Sequence, residues 1–415
     1  MRLAAVQVGA AAIIVAIAGY VAQFLAARWL GPAHYTTFAV FWAVLFIVVG
    51  TLSGVSQEVV RVSRVSKIAG GSPFTTDHGV HPRIGVVAIT VGVCMAIVVF
   101  LTGLVWGPMA FGPDWVAPLI LLSVAGVFVS GTAAVVSTFA GLAHWRTYAL
   151  LVSLEGVARI VFFVLAALVL PSVLGFSIAA VLAFFPGVLV GLLGNGLRRE
   201  SLSVRSDSPV GLSTTRFLRS MAASSLSSVL VVGWPVLLTT AAAANPRGST
   251  AVSLGVLVLL VTLTRAPLMV PLTSFQNALV ARFTGLDLAD RRRWVASGIG
   301  ILVAASGLLS ALAAVVAPPL LPAIFGDRYQ VSPATVAALT GAAAGLGIIT
   351  LTGIAAITSG RHSRYLLGWA VAIIAALLVL FLAPLPFEWA TVVALIAGPL
   401  VGAAVQLGAL RHPRT

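Results

Sequence analysis

Leu30-Gly31-Pro32-Ala33-His34-Tyr35-Thr36 stands between two long apolar runs, 5–27 and 37–57. Each run has the roughly 20 residues a helix needs to cross the hydrocarbon of a bilayer. These seven residues therefore read as a tight connection between two membrane spans.

The rest of the chain continues in the same way. Ten further runs follow, at about 84–106, 119–142, 149–170, 174–197, 217–240, 251–281, 295–316, 333–357, 365–383 and 390–410, with short connections between them. Across its 415 residues the chain is 60% hydrophobic and only 8% charged, and its mean hydropathy is +1.12. A soluble domain carries about 25% charged residues and could not cover its surface with so few. Disorder and a coiled coil are excluded by the same composition, and the single cysteine, Cys94, excludes a disulfide scaffold. The expected fold is an all-α integral membrane protein of about 12 transmembrane helices. The first run follows a lone Arg2 without a small-residue cleavage site, so it reads as a retained helix rather than a removed signal peptide.

A net charge of +14 raises nucleic acid as a partner, until the positions of the cations are considered. With the N-terminus placed in the cytoplasm, 19 of the 24 Lys and Arg residues fall in inside segments, while Arg28, Arg247 and Arg328 fall outside. Cytoplasmic loops are enriched in Lys and Arg, so this split orients the chain, with both termini cytoplasmic. The positive charge is then largely topological, and nucleic acid is not expected as a partner. Only Arg159 and Arg265 remain inside spans.

The chain also matches itself 214 residues further on. Pro32 and Thr36 match Pro246 and Thr250, and Phe111-Gly112 after the third run matches Phe325-Gly326 after the ninth. A looser match pairs His144-Trp145-Arg146 with His362-Ser363-Arg364, 218 apart. Two six-helix lobes follow, spanning 1–200 and 217–415 and joined by a polar cytoplasmic linker over 201–216. Six spans is an even number, so the copies would be parallel repeats around a central cavity.

Ionisable groups at membrane depth cost several kcal/mol, about 2.5–3.5 on insertion scales, and usually face a cavity or a partner. Arg265 is followed by Pro267 and Pro271, which should kink its helix. It reads either as a fixed cation for an anionic substrate or as a cap on carbonyls freed at the kink. Glu155 and Arg159 stand four apart on one helix face, as a self-neutralising pair or as a pair at a cavity edge. Gln57 and Glu58, and likewise Gln276 and Asn277, occupy the cytoplasmic ends of the second and eighth spans, and Arg28 the outer end of the first. These eight residues are the candidate substrate-binding set. Asp77, His78 and His81 form a cluster without a third convincing ligand, so no metal is expected. No phosphate-binding glycine loop or nucleophile–base set is present, so neither a cofactor nor enzyme activity is expected.

Arg28-Trp29-Leu30-Gly31-Pro32-Ala33-x-Tyr35-x-x-Phe38 and Phe325-Gly326-x-x-Tyr329, with the six-plus-six arrangement, resemble the polysaccharide (O-antigen) flippase branch of the multidrug/oligosaccharidyl-lipid/polysaccharide exporter superfamily. The resemblance implies two six-helix bundles in a V around a cavity. It further implies movement of a polyprenyl-diphosphate-linked oligosaccharide from the inner to the outer leaflet of the cytoplasmic membrane by alternating access. Membrane lipids, a polysaccharide polymerase and glycosyltransferases are the partners it suggests. A diphosphate needs a cation, which suits Arg265 and Arg159. The alternative within the superfamily is a cation-coupled drug exporter, which would want free acids deep in the spans. A membrane-embedded glycan-modifying enzyme or scaffold is the alternative outside it.

Overall fold

A computed structural model describes residues 2–68, 83–193, 204, 210–244, 252–284 and 286–408. All of its extended regular structure there is helical. The helices are α1 (Arg2–Ile68), α2 (Ile84–Phe111), α3 (Val116–Gly141), α4 (Trp145–Val169), α5 (Val173–Leu182), α6 (Phe185–Leu193) and α7 (Val210–Val232). They continue with α8 (Trp234–Ala244), α9 (Leu254–Thr284), α10 (Leu288–Phe325), α11 (Pro333–Thr358), α12 (His362–Leu382) and α13 (Phe387–Leu407).

Each of the twelve apolar runs has become a helix or a broken helix. Among the described residues, nine helices are long and apolar enough to cross a membrane, or ten with the bent pair α7–α8 counted as one span. The first of the nine runs over Val6–Ser66. At 1.5 Å per residue it is about 90 Å long, too long for one crossing, and it is two helices joined across a kink. Its break is at Gly31, with φ 68° and ψ 170°. Pro32 then opens the second crossing, where its missing donor costs nothing. The apolar part of α9, Leu254–Met269, completes the twelve. The protein is a multi-pass membrane protein.

The chain divides into two compact units, Met1–Leu30 with Thr37–Ser228, and Gly31–Thr36 with Val229–Thr415. In unit 1, Phe38, Phe163 and Phe176 are completely buried, with ring centroids 5.7–6.1 Å apart. Without a hydrophobic drive between helices inside lipid, small residues and hydroxyls join them. Accordingly, the buried hydroxyl of Ser130 on α3 donates to the Ala88 carbonyl on α2, and Ser225 on α7 donates to the Thr51 hydroxyl on α1 at 3.0 Å.

In unit 2, the Ser306 hydroxyl on α10 donates to the Thr340 and Gly341 carbonyls of α11, both at 3.0 Å. The six residues Gly31–Thr36 belong to this unit although their flanking helices belong to the other. Tyr35 is fully buried. The Pro32 carbonyl approaches α9 so closely that a Cβ at Gly255 would lie 1.9 Å from it, which only glycine avoids. Beside Gly31 lies the Arg328 guanidinium, 3.6 Å from where a Cβ would sit.

The units end their helices alike. At the end of α3 the N–H groups of Ala143 and His144 donate to the carbonyls of Ala140 and Phe139, and at the end of α11 those of Gly360 and Arg361 donate to Ile357 and Ala356. This is one reverse-turn cap, with its second residue left-handed in both cases: Ala143 at φ 58° and Gly360 at φ 71°. The two caps align 217 residues apart, so His144 falls opposite Arg361 and not opposite His362. Gly112 and Gly326, 214 apart, close α2 and α10 with N–H bonds to the Pro108 and Pro322 carbonyls.

Candidate functional site

Unit 1 holds five of the eight candidate residues. Arg159 is only 3% exposed, and its Nη2 donates to Glu155 Oε1 at 2.6 Å. The helical four-residue spacing places the two on one face of α4, in the favourable order. The guanidinium also lies 5.6 Å from the Phe46 ring and 5.5 Å from that of Phe184. Phe184 sits at the break between α5 and α6, just before Pro186, whose missing donor interrupts the sixth span. Thr132 fixes the break by donating to the Phe184 carbonyl at 2.9 Å. Arg159 therefore has a carboxylate and two aromatic faces, each such face contributing about 0.5–2 kcal/mol.

Glu58 is buried and accepts a two-pronged bond from Arg61, 2.9 Å from Nε and 2.6 Å from Nη2. Gln57, its neighbour in sequence, is exposed, so the two point away from a common target. Arg28 is exposed near the end of the first crossing, three residues before the break.

Unit 2 holds the other three. Arg265 on α9 is 7% exposed; its Nε donates to the Val261 carbonyl at 2.6 Å and its Nη1 to the Val231 carbonyl at 3.1 Å. Val231 lies four residues before Pro235, so its carbonyl is the one that a proline at 235 cannot serve. There α7 and α8 meet at Gly233 with a bend of 66°. The helix bearing Arg265 runs unbroken from Leu254 to Thr284 through Pro267 and Pro271. The bend whose free carbonyl Arg265 serves lies in the preceding span. The side chains of Gln276 and Asn277 lie outside the described residues, as do Asp77, His78 and His81. No group of three or more His, Cys, Asp or Glu that could hold a metal ion occurs among the described residues.

An apolar groove of about 310 Å³ lies between α9, α10 and α11. Its walls include Leu260, Leu263, Thr264 and Pro267 from α9, with Ala313 and Val316 from α10.

Two buried polar groups escaped the sequence reading. Gln406 on α13 is 1% exposed, accepts from the Thr352 hydroxyl on α11 at 2.6 Å and donates to the Tyr365 carbonyl at 3.4 Å. Arg291 at the start of α10 donates to the carbonyls of Phe283 and Leu286 and to the Ser359 hydroxyl, at 2.6–3.0 Å. It pins together the ends of α9 and α11. Each has one partner far along the chain, Thr352 for Gln406 and Ser359 for Arg291.

Comparison with known proteins gives the following. No family model matches the chain. Uncharacterized protein Rv1510 of Mycobacterium tuberculosis is 34% identical over 410 residues, covering 98% of this chain and 91% of its own. Uncharacterized protein Rv3630 of the same organism is 34% identical over 412 residues, with coverage of 97% and 91%. Among solved structures, an inward-facing multidrug resistance MATE family transporter of the MOP superfamily superimposes with a TM-score of 0.68 at 14% identity, over 98% of this chain and 97% of that one. A MOP superfamily transporter from Pyrococcus furiosus, described as having a binding pocket of reverse polarity, gives 0.62 at 14% identity, over 99% and 96%. At such identities the likeness is one of fold: this chain has the twelve-helix fold of MATE transporters.

Proposed function

The chain belongs to the family of the mycobacterial proteins Rv1510 and Rv3630, and on that premise we propose that it is an alternating-access flippase. Its cargo is a polyprenyl-diphosphate-linked oligosaccharide, moved from the inner to the outer leaflet of the cytoplasmic membrane for cell-surface polysaccharide synthesis. Both termini are then cytoplasmic, and polysaccharide polymerase and glycosyltransferases are the partners of such a pathway. Arg265 is the principal cation for the diphosphate, with Arg159 as the second.

The observation that carries this reading is the state of the span carboxylates. Among the described residues, Glu155 in mid-span and Glu58 at a span end are each bonded to a guanidinium on their own helix, while Glu388 in the first turn of α13 has a buried oxygen without a hydrogen-bond partner. A carrier of cationic drugs needs a carboxylate that can exchange its partner for the drug. A carrier of an anionic head needs cations, and these the spans contain.

Reconstitution tests the proposal directly. Vesicles receive a fluorescent polyprenyl-diphosphate sugar in the inner leaflet, and protein-dependent appearance in the outer leaflet is measured. Flipping above that of protein-free vesicles is expected; its absence for every such lipid removes the proposal. A second reading, a cation-coupled multidrug exporter, is favoured by the likeness to a multidrug resistance MATE transporter. It predicts proton-driven uptake of a cationic dye that Glu155→Gln abolishes.

A further inference from the structure

We infer that the groove between α9, α10 and α11 binds the isoprenoid tail of the anionic lipid at the depth of Arg265. This rests on the flippase reading and deepens it by giving the tail a slot inside unit 2.

The α9 wall is built from Leu260, Leu263, Thr264 and Pro267, whose spacing of three and four makes one stripe along the helix. Arg265 follows Thr264 directly and precedes Pro267 by two. It therefore sits at the same height in the membrane, about 100° around the helix. Both hydroxyls of the lining are committed to their own helices: Thr264 donates to the Leu260 carbonyl at 2.7 Å and Thr340 to the Val336 carbonyl at 2.8 Å. A sugar, peptide or drug amine in the groove would lose its hydrogen bonds to water and find at most the acceptor lone pairs of these two hydroxyls. A hydrocarbon chain loses nothing.

The groove is also reachable without leaving hydrocarbon. Leu312, Val316 and Leu320 on its α10 wall are exposed, and they continue into the outward-facing surface of that helix through Leu308 and Val315. A chain can therefore slide in sideways from the bilayer. The neighbouring charge then selects among lipids. A tail in the slot carries its phosphate alongside α9, where Arg265 can add a charge-assisted bond to those it makes with the Val261 and Val231 carbonyls. Charge-assisted bonds of this kind are about twice as strong as neutral ones.

The test uses the full-length protein in vesicles of phosphatidylcholine and phosphatidylglycerol, with two photoactivatable diazirine probes, a polyisoprenyl phosphate and a phosphatidylglycerol. The isoprenyl probe should label segments 260–267 and 309–321 and be displaced by equimolar untagged polyisoprenyl phosphate. Ala313→Trp, which fills the groove, should cut that labelling about tenfold, the loss expected from excluding one or two methylenes. Equal labelling of the groove by phosphatidylglycerol, undisplaced by the isoprenyl phosphate, overturns the inference, and this arm needs no variant. Unchanged sugar-lipid flipping by Ala313→Trp overturns it too, leaving the flippase reading intact. Specific labelling in a protein that flips no sugar-diphosphate lipid upholds the slot and removes the flippase reading instead.

Discussion

Each unit buries one arginine in mid-span and holds it in its own way. Arg159 of unit 1 is neutralised by Glu155 and enclosed by two aromatic rings. Arg265 of unit 2 is anchored on carbonyls, one of them orphaned by a proline in another helix. A carboxylate partner fixes a cation; a carbonyl partner is easily outbid by a phosphate. The difference sets a carboxylate and two rings beside Arg159 against backbone carbonyls beside Arg265.

Removing one member of a buried ion pair costs more than the pair contributes, because an uncompensated charge remains. Glu155→Gln should therefore lower stability by about 3–5 kcal/mol, read as a fall in the thermal midpoint of the detergent-solubilised protein. The double variant Glu155→Gln/Arg159→Met should recover most of that. If the single change is harmless, Arg159 has another way to be satisfied and the contrast fails. The second test is Arg265→Ala, which should reduce flipping at least about a hundredfold, some 2.7 kcal/mol, while expression is retained. Flipping at the normal rate would make Arg265 only a cap on the bent span.

The shared helix caps sharpen the comparison at lower energy. Gly360→Ala puts a side chain at φ 71° and should destabilise by about 1–2 kcal/mol. The reverse change in the other unit, Ala143→Gly at φ 58°, should stabilise by about 0.5–1 kcal/mol, because glycine relieves the left-handed strain. Thermal midpoints of the two variants, measured side by side, give the result. Shifts of the same sign would mean that the two caps are not equivalent.

Much of the architecture could be read from composition, because hydrocarbon tolerates only helices of about 20 apolar residues. The Glu155–Arg159 pair was readable because both residues share one helix face. What stayed hidden depends on partners far along the chain. The carbonyl that Arg265 serves is 34 residues earlier, whereas the sequence drew attention to Pro267 and Pro271 nearby. Gln406 meets Thr352 across 54 residues of apolar sequence. Arg291 looked like one more orienting charge and proves to tie three segments together. The groove is formed from small and aliphatic residues that no local pattern distinguishes from ordinary lipid-facing ones.

The placement of Gly31–Thr36 with the second unit bears on how the protein is made. These residues leave the ribosome early, but Gly255 and Arg328, against which they rest, are as much as about 300 residues further on. At 5–20 residues per second the turn waits roughly 15–60 s for its neighbours to be synthesised. Assembly of the amino-terminal helices can therefore finish only after most of the chain has been inserted, and the crossings up to the ninth are made while the first turn is still open.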